Sequence, residues 1–201
     1  MKFIAVAGTG GLYRDDWWHL DSLFTAFLAQ QGIQHAKPDD VFIWSTDVNG
    51  IGSNPFKFFK PAHHSDWEAG GNALRYYAKD IPYEDRNIIC HSHGLQVVLY
   101  SYINIRSLIS VGSPVRKDML GLAKELRPKI QSWQHIAANS DLWQRLGAIF
   151  DGHVGFVQAH PNADWNHKLP KSYEHSSILR DPDKFPLWIS QGWLEKFKHG
   201  K

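Results

Sequence analysis

Residues 87–101 read Asn87-Ile88-Ile89-Cys90-His91-Ser92-His93-Gly94-Leu95-Gln96-Val97-Val98-Leu99-Tyr100-Ser101. The run from Asn87 to Cys90 is short and lacks clean alternation, as expected of a strand covered on both faces. A helical segment follows from Leu95 to Ile103. Ser92 therefore falls at a strand-to-helix turn. Such a turn forces its central residue into a strained backbone conformation and holds the hydroxyl clear of the sheet. It also needs small residues two positions before and after, because strand and helix pass close there. Cys90 and Gly94 meet that need.

The same alternation extends in both directions along the chain. Phe3 to Ala7, Val41 to Trp44, Leu108 to Val111 and Ile130 to Ala138 are the other strand candidates. Helical patterns lie at Leu20 to Gln31, Asp66 to Lys79, Val115 to Leu126 and Pro186 to Lys198. In the first of these, Leu20, Leu23, Phe24, Phe27 and Leu28 recur at helical spacing and Gly32 stops the helix. Asp66 stands where it can cap the second. Strands alternating with helices predict one α/β domain over residues 1–201, with a mostly parallel central sheet and helices on both faces.

Composition bounds the function. About a quarter of the 201 residues are Leu, Ile, Val or Phe, enough for a packed core. The single cysteine, Cys90, excludes an internal disulfide and a Cys-based zinc site. A net charge of +2 is far from the basic stripe of a nucleic-acid binder. No run reaches the roughly 18 apolar residues of a membrane span. The opening Phe3–Ala7 run is too short for a signal peptide, so synthesis in the cytoplasm is expected.

The strand, x-Ser-x-Gly, helix arrangement resembles the nucleophile elbow of the α/β-hydrolase family, G-x-S-x-G, with Cys90 replacing the first glycine. Three further stretches resemble that family in its chain order. Ser107 to Pro114 ends in Gly112-Ser113-Pro114, similar to the end of the next strand in many lipases. Asp141 follows the Ile130–Ala138 run, where the family places its triad acid; Asp151, Asp164 and Asp118 are alternatives. His175, before the Phe185-Pro186-Leu187-Trp188 segment, stands where the family places its base, with His167 and His160 as rivals. The glycine-rich Gly8-Thr9-Gly10-Gly11 after the first strand resembles the family's oxyanion loop. The resemblance thus implies backbone donors at Thr9 or Gly10 and at His93.

The resemblance implies a lipase- or esterase-like serine hydrolase with a minimal cap or none. It would cleave a carboxylic ester, lipid-borne or polymer-borne, through a Ser92-His175-Asp141 triad without a cofactor. Trp17, Phe56, Phe58 and Phe59 are candidates to line the acyl pocket, against the plainer reading that they serve the core. A thioesterase, an amidase, or an inactive hydrolase-fold binding protein are the competing readings. His63-His64 and the His91/His93 pair invite a metal, but the turn would point His91 and His93 apart. Gly8-Thr9-Gly10-Gly11 lacks the spacing of nucleotide-binding loops.

Overall fold

The structure is a computed structural model that describes residues 1–8, 17–44, 64–138, 159–170, 173 and 176–200. Among these, six strands form one sheet in the order β2-β1-β3-β4-β5-β6. They are β1 (Lys2–Val6), β2 (Gln34–His35), β3 (Asn87–His91), β4 (Ile105–Val111), β5 (Ile130–Ala138) and β6 (Trp165–Leu169). Every neighbouring pair is parallel. The carboxyl ends of all six strands therefore share one edge.

Alternate side chains of the central strands feed two cores. Ile4, Val6, Ile88, Cys90 and Leu108 face one cluster. It is closed by α2 (His64–Ala78), α3 (Gly94–Ser101) and α4 (Leu120–Leu126). Phe3, Ala5, Ile89, Ile109 and Val111 face the other. That side carries α1 (Leu23–Gln30), α5 (Ser177–Arg180), α6 (Pro186–Ser190) and α7 (Trp193–His199). The result is the expected three-layer α/β fold. On the second face, Phe24 of α1 meets Trp188 at 5.0 Å and Phe185 at 5.4 Å, and Trp188 meets Trp193 at 5.6 Å. Aromatic pairs of this kind add roughly 0.5–1.5 kcal/mol each beyond burial, and they join α1 to the C-terminal helices.

Local chemistry explains most element ends. Ser22 caps α1 by accepting from the Thr25 N–H at 3.0 Å, and Gly32, at φ 74°, turns the chain out of it. The α2–α3 contact depends on missing side chains. A Cβ on Gly71 would lie 2.6 Å from the carbonyl carbon of Tyr100. A mid-helix glycine costs about 1 kcal/mol relative to alanine, and here it permits close helix packing.

Four expectations need correction, and one strand, β6, was not expected. Val41 to Trp44 is not a strand: the edge of β1 is already paired with Gln34–His35. The segment instead tucks Phe42 and Trp44 into the core, and the Trp44 indole donates to the Ala7 carbonyl at 2.7 Å. β6 was hidden in a polar stretch. The final helix is two, broken at Gly192 with φ 67°. The helix expected from Val115 begins later, at Leu120, because Arg116 is extended at φ −107° and ψ 131°. Asp66 lies inside the first turn of α2, which starts at His64, so it is not the cap.

Candidate active site

The strand order reverses direction between β1 and β3. From β1 the chain goes outward to β2 and then returns to build β3 to β6 on the other side. In open α/β sheets the crevice at the carboxyl edge of such a reversal is where ligands bind. Gly8 follows one strand there and Ser92 follows the other.

Ser92 has φ 51°, in the left-handed region that costs a non-glycine residue about 1–3 kcal/mol. The surrounding bonds determine this conformation. The Ser92 N–H donates to the Val111 carbonyl at 2.9 Å, tying the turn to β4, and the Ser92 carbonyl accepts from Leu95 N–H at 3.3 Å as α3 begins. Sterics enforce the same bend from both sides. A Cβ on Gly94 would stand 2.5 Å from the Val6 carbonyl oxygen and 2.6 Å from that of Ala7. A Cβ on Gly8 would stand 2.8 Å from the Ser92 Cβ. Gly94, which the sequence places two residues after Ser92, and Gly8 are therefore kept bare by contact. Ser92 itself is half-exposed between a buried strand and a buried helix start. Its hydroxyl has no hydrogen-bond partner among the described residues.

The two flanking histidines part to opposite layers. His91 is 7% exposed and turns toward the α1 side, where its ring meets Trp17 edge-on at 6.3 Å. Trp17 is itself 2% exposed and packs on Phe24, so it backs His91 from inside the core. His93 turns toward α2 and stacks on Trp67, with centroids 5.4 Å apart and planes 26° apart. Among the described residues, no group of three or more His, Cys, Asp or Glu could hold a metal ion. Cys90 is fully buried beneath the turn, and burial drives its thiol pKa up despite a hydrogen bond with Ser113. It is not an available nucleophile.

The alternatives for acid and base also find their places. Asp164 pairs with Arg127 and accepts from the Trp133 N–H at 2.8 Å, near the start of β5 and away from the Ser92 edge. His160 is 3% exposed with its ring 4.3 Å from Trp133, and burial lowers its pKa to about 4. His167 is level with His91 across the sheet, but three strand spacings of about 4.8 Å separate them by roughly 14 Å. Neither histidine is within direct reach of Ser92. Asp118 accepts from Arg116 at 2.8 Å and faces His64 Nε2 at 2.9 Å. Burial would raise its pKa, but the Arg116 and His64 bonds outweigh that and hold it below the usual range. Asp141, Asp151, His175, Thr9, Gly10, Phe56, Phe58 and Phe59 lie outside the described residues.

The sequence reading missed Trp67 and Arg116. Trp67 is fully buried in α2, and the Arg116 guanidinium lies 4.7 Å from the centre of its ring. The available signal was Arg116-x-Asp118, a cation and an anion straight after Gly112-Ser113-Pro114.

No protein-family model matches the chain, and no curated protein matches it in sequence. Among solved structures it is similar to a protein from Thermoplasma acidophilum described as a predicted CIB-like hydrolase. That protein is 16% identical, with a TM-score of 0.53, and the match covers 96% of this chain and 86% of that one. The likeness is one of fold alone.

Proposed function

We propose that the protein is a serine hydrolase that cleaves carboxylic esters, with Ser92 as nucleophile. The observation that carries this reading is the φ of 51° at Ser92. A half-exposed serine held in a costly conformation at the switch point of a parallel sheet is a hydroxyl presented for attack. The Thermoplasma acidophilum protein of similar fold, described as a hydrolase, is in keeping with it.

In this reading His175 takes the Ser92 proton as Oγ attacks the ester carbonyl, and Asp141 orients the imidazole and stabilises its cation. The carbonyl oxygen becomes an oxyanion, held by the backbone N–H of His93 and by that of Thr9 or Gly10. His175 then gives the proton to the departing alcohol. Water, deprotonated by the same imidazole, releases the acid and restores Ser92. Gly8 contributes by absence: without a Cβ, its backbone lies directly against Ser92. Phe56, Phe58 and Phe59 are proposed as apolar groups on the acyl side, while Trp17, buried in the core, serves packing.

The test is hydrolysis of p-nitrophenyl esters of increasing acyl length, beside matched thioester and anilide substrates, by wild type and Ser92→Ala. Ester turnover that vanishes in Ser92→Ala supports the reading. Turnover of anilides alone assigns an amidase instead, and activity that survives Ser92→Ala removes Ser92 as nucleophile.

A further inference from the structure

We propose that Trp67, steadied by Arg116, is a positioning residue that holds the backbone N–H of His93 toward the oxyanion. The inference rests on reading Ser92 as the nucleophile and extends that site to two other elements.

The need arises from the strained turn. A non-glycine residue at φ 51° has lower-energy conformations nearby. Any relaxation of Ser92 rotates the peptide that joins it to His93, and the N–H swings with it. A donor for a developing oxyanion is effective only if it is fixed before the reaction. The His93 side chain is thus a handle on that peptide. It makes no capping hydrogen bond to α3; its ring instead stacks on Trp67 at 5.4 Å.

Trp67 is in turn anchored. It is fully buried, and its indole N–H has no hydrogen-bond partner among the described residues, so its ring faces and edges place it. His64 meets it edge-on at 5.1 Å, and the Arg116 guanidinium lies over its ring at 4.7 Å. The guanidinium plane is set by a forked contact, Nε to Asp118 Oδ1 at 3.1 Å and Nη2 to Oδ2 at 2.8 Å. Asp118 also meets His64 Nε2 at 2.9 Å, while His64 Nδ1 meets the Tyr100 hydroxyl at 2.7 Å. Both ring nitrogens of His64 are occupied, which makes it part of the clamp and no candidate for the base. Gly71 lets α2 press on α3 closely enough for this stack to form.

The experiment is steady-state hydrolysis of p-nitrophenyl butyrate by wild type, Trp67→Leu, Trp67→Phe and Arg116→Lys, with phenylboronic acid as a tetrahedral mimic and melting temperature as control. Trp67→Leu should lower kcat about 10- to 100-fold, short of the roughly 100- to 1000-fold lost when an oxyanion donor is removed outright, because the donor is misaimed and not deleted. KM should stay within about twofold, and phenylboronic acid should weaken in parallel with kcat/KM. Trp67→Phe keeps an aromatic face without the orphan N–H and should rescue kcat to within about threefold. Arg116→Lys keeps the charge but loses the fork, and it should lower kcat in the same manner; it carries the test if Trp67→Leu does not fold. Folded variants with wild-type kcat, or with losses that follow melting temperature alone, overturn the inference and leave Ser92 untouched. A wild type that neither hydrolyses esters nor binds phenylboronic acid overturns both.

Discussion

Gly8 and Ser92 follow adjacent parallel strands so closely that a Cβ on the first would lie 2.8 Å from the Cβ of the second. The same added atom would lie 3.1 Å from the His91 carbonyl and 3.3 Å from its Nδ1. Backbone blocks one side and the strained turn the other, so the misfit cannot be relieved by one flexible side chain. Gly8→Ala should therefore lower kcat for ester hydrolysis about 10- to 100-fold, the scale of a sub-ångström to 1 Å misplacement at a reacting centre. Steady-state kinetics on the folded variant check this; unchanged kcat would show that the crevice has slack.

Strain at Ser92 has a thermodynamic signature. Glycine adopts φ 51° freely, whereas alanine keeps the strain and loses only the hydroxyl. Ser92→Gly should be more stable than Ser92→Ala by about 1–2 kcal/mol in urea unfolding, with both inactive. Equal stabilities would contradict the strained backbone.

The α2–α3 contact makes an inverted prediction. Gly71→Ala improves helix propensity by about 1 kcal/mol, yet its Cβ would meet Tyr100 backbone at 2.6 Å. Overpacking of this kind costs about 1–3 kcal/mol. Net destabilisation is expected, visible as a lower melting temperature; a stabilised variant would refute the close packing.

Acid should weaken the fold before it protonates many carboxylates. Burial lowers the pKa of His35 to about 4, with the nearby His19 adding to it. It lowers His135 to about 3, with His160 and His167 adding to it, and His160 to about 4. In the unfolded chain these groups titrate near 6.5. Between about pH 6.5 and pH 4 the unfolded state binds more protons, so stability falls as pH falls. Above pH 6.5 all three are neutral in both states and add no slope. Urea unfolding at pH 7.5, 5.5 and 4.5 should show a loss of at least about 3 kcal/mol at the lowest pH. A flat profile would contradict burial of neutral imidazoles.

Much of the fold was legible because a parallel sheet covered on both faces writes itself as short apolar runs. β1, β3, β4 and β5 all lie on such runs. The edge strands do not. β2 is Gln34–His35, and β6 exposes Asn166 and Lys168 between less exposed neighbours, so neither offers a continuous apolar signal. Val41 to Trp44 had the signal but pairs with no strand among the described residues; its Phe42 and Trp44 side chains fill the core instead. Ser92 could be read from local spacing, since the residues that must be small are two positions away. Trp67 and Arg116 could not, because what matters is a relay of contacts across three elements, Arg116 on Trp67 and Trp67 on His93.

The most direct measurement is labelling of the folded protein with a fluorophosphonate, followed by peptide mapping by mass spectrometry. The account predicts one adduct per chain, on Ser92, with ester turnover lost in proportion to its formation. A folded protein that takes no adduct, or takes it on another residue while activity disappears, would contradict it.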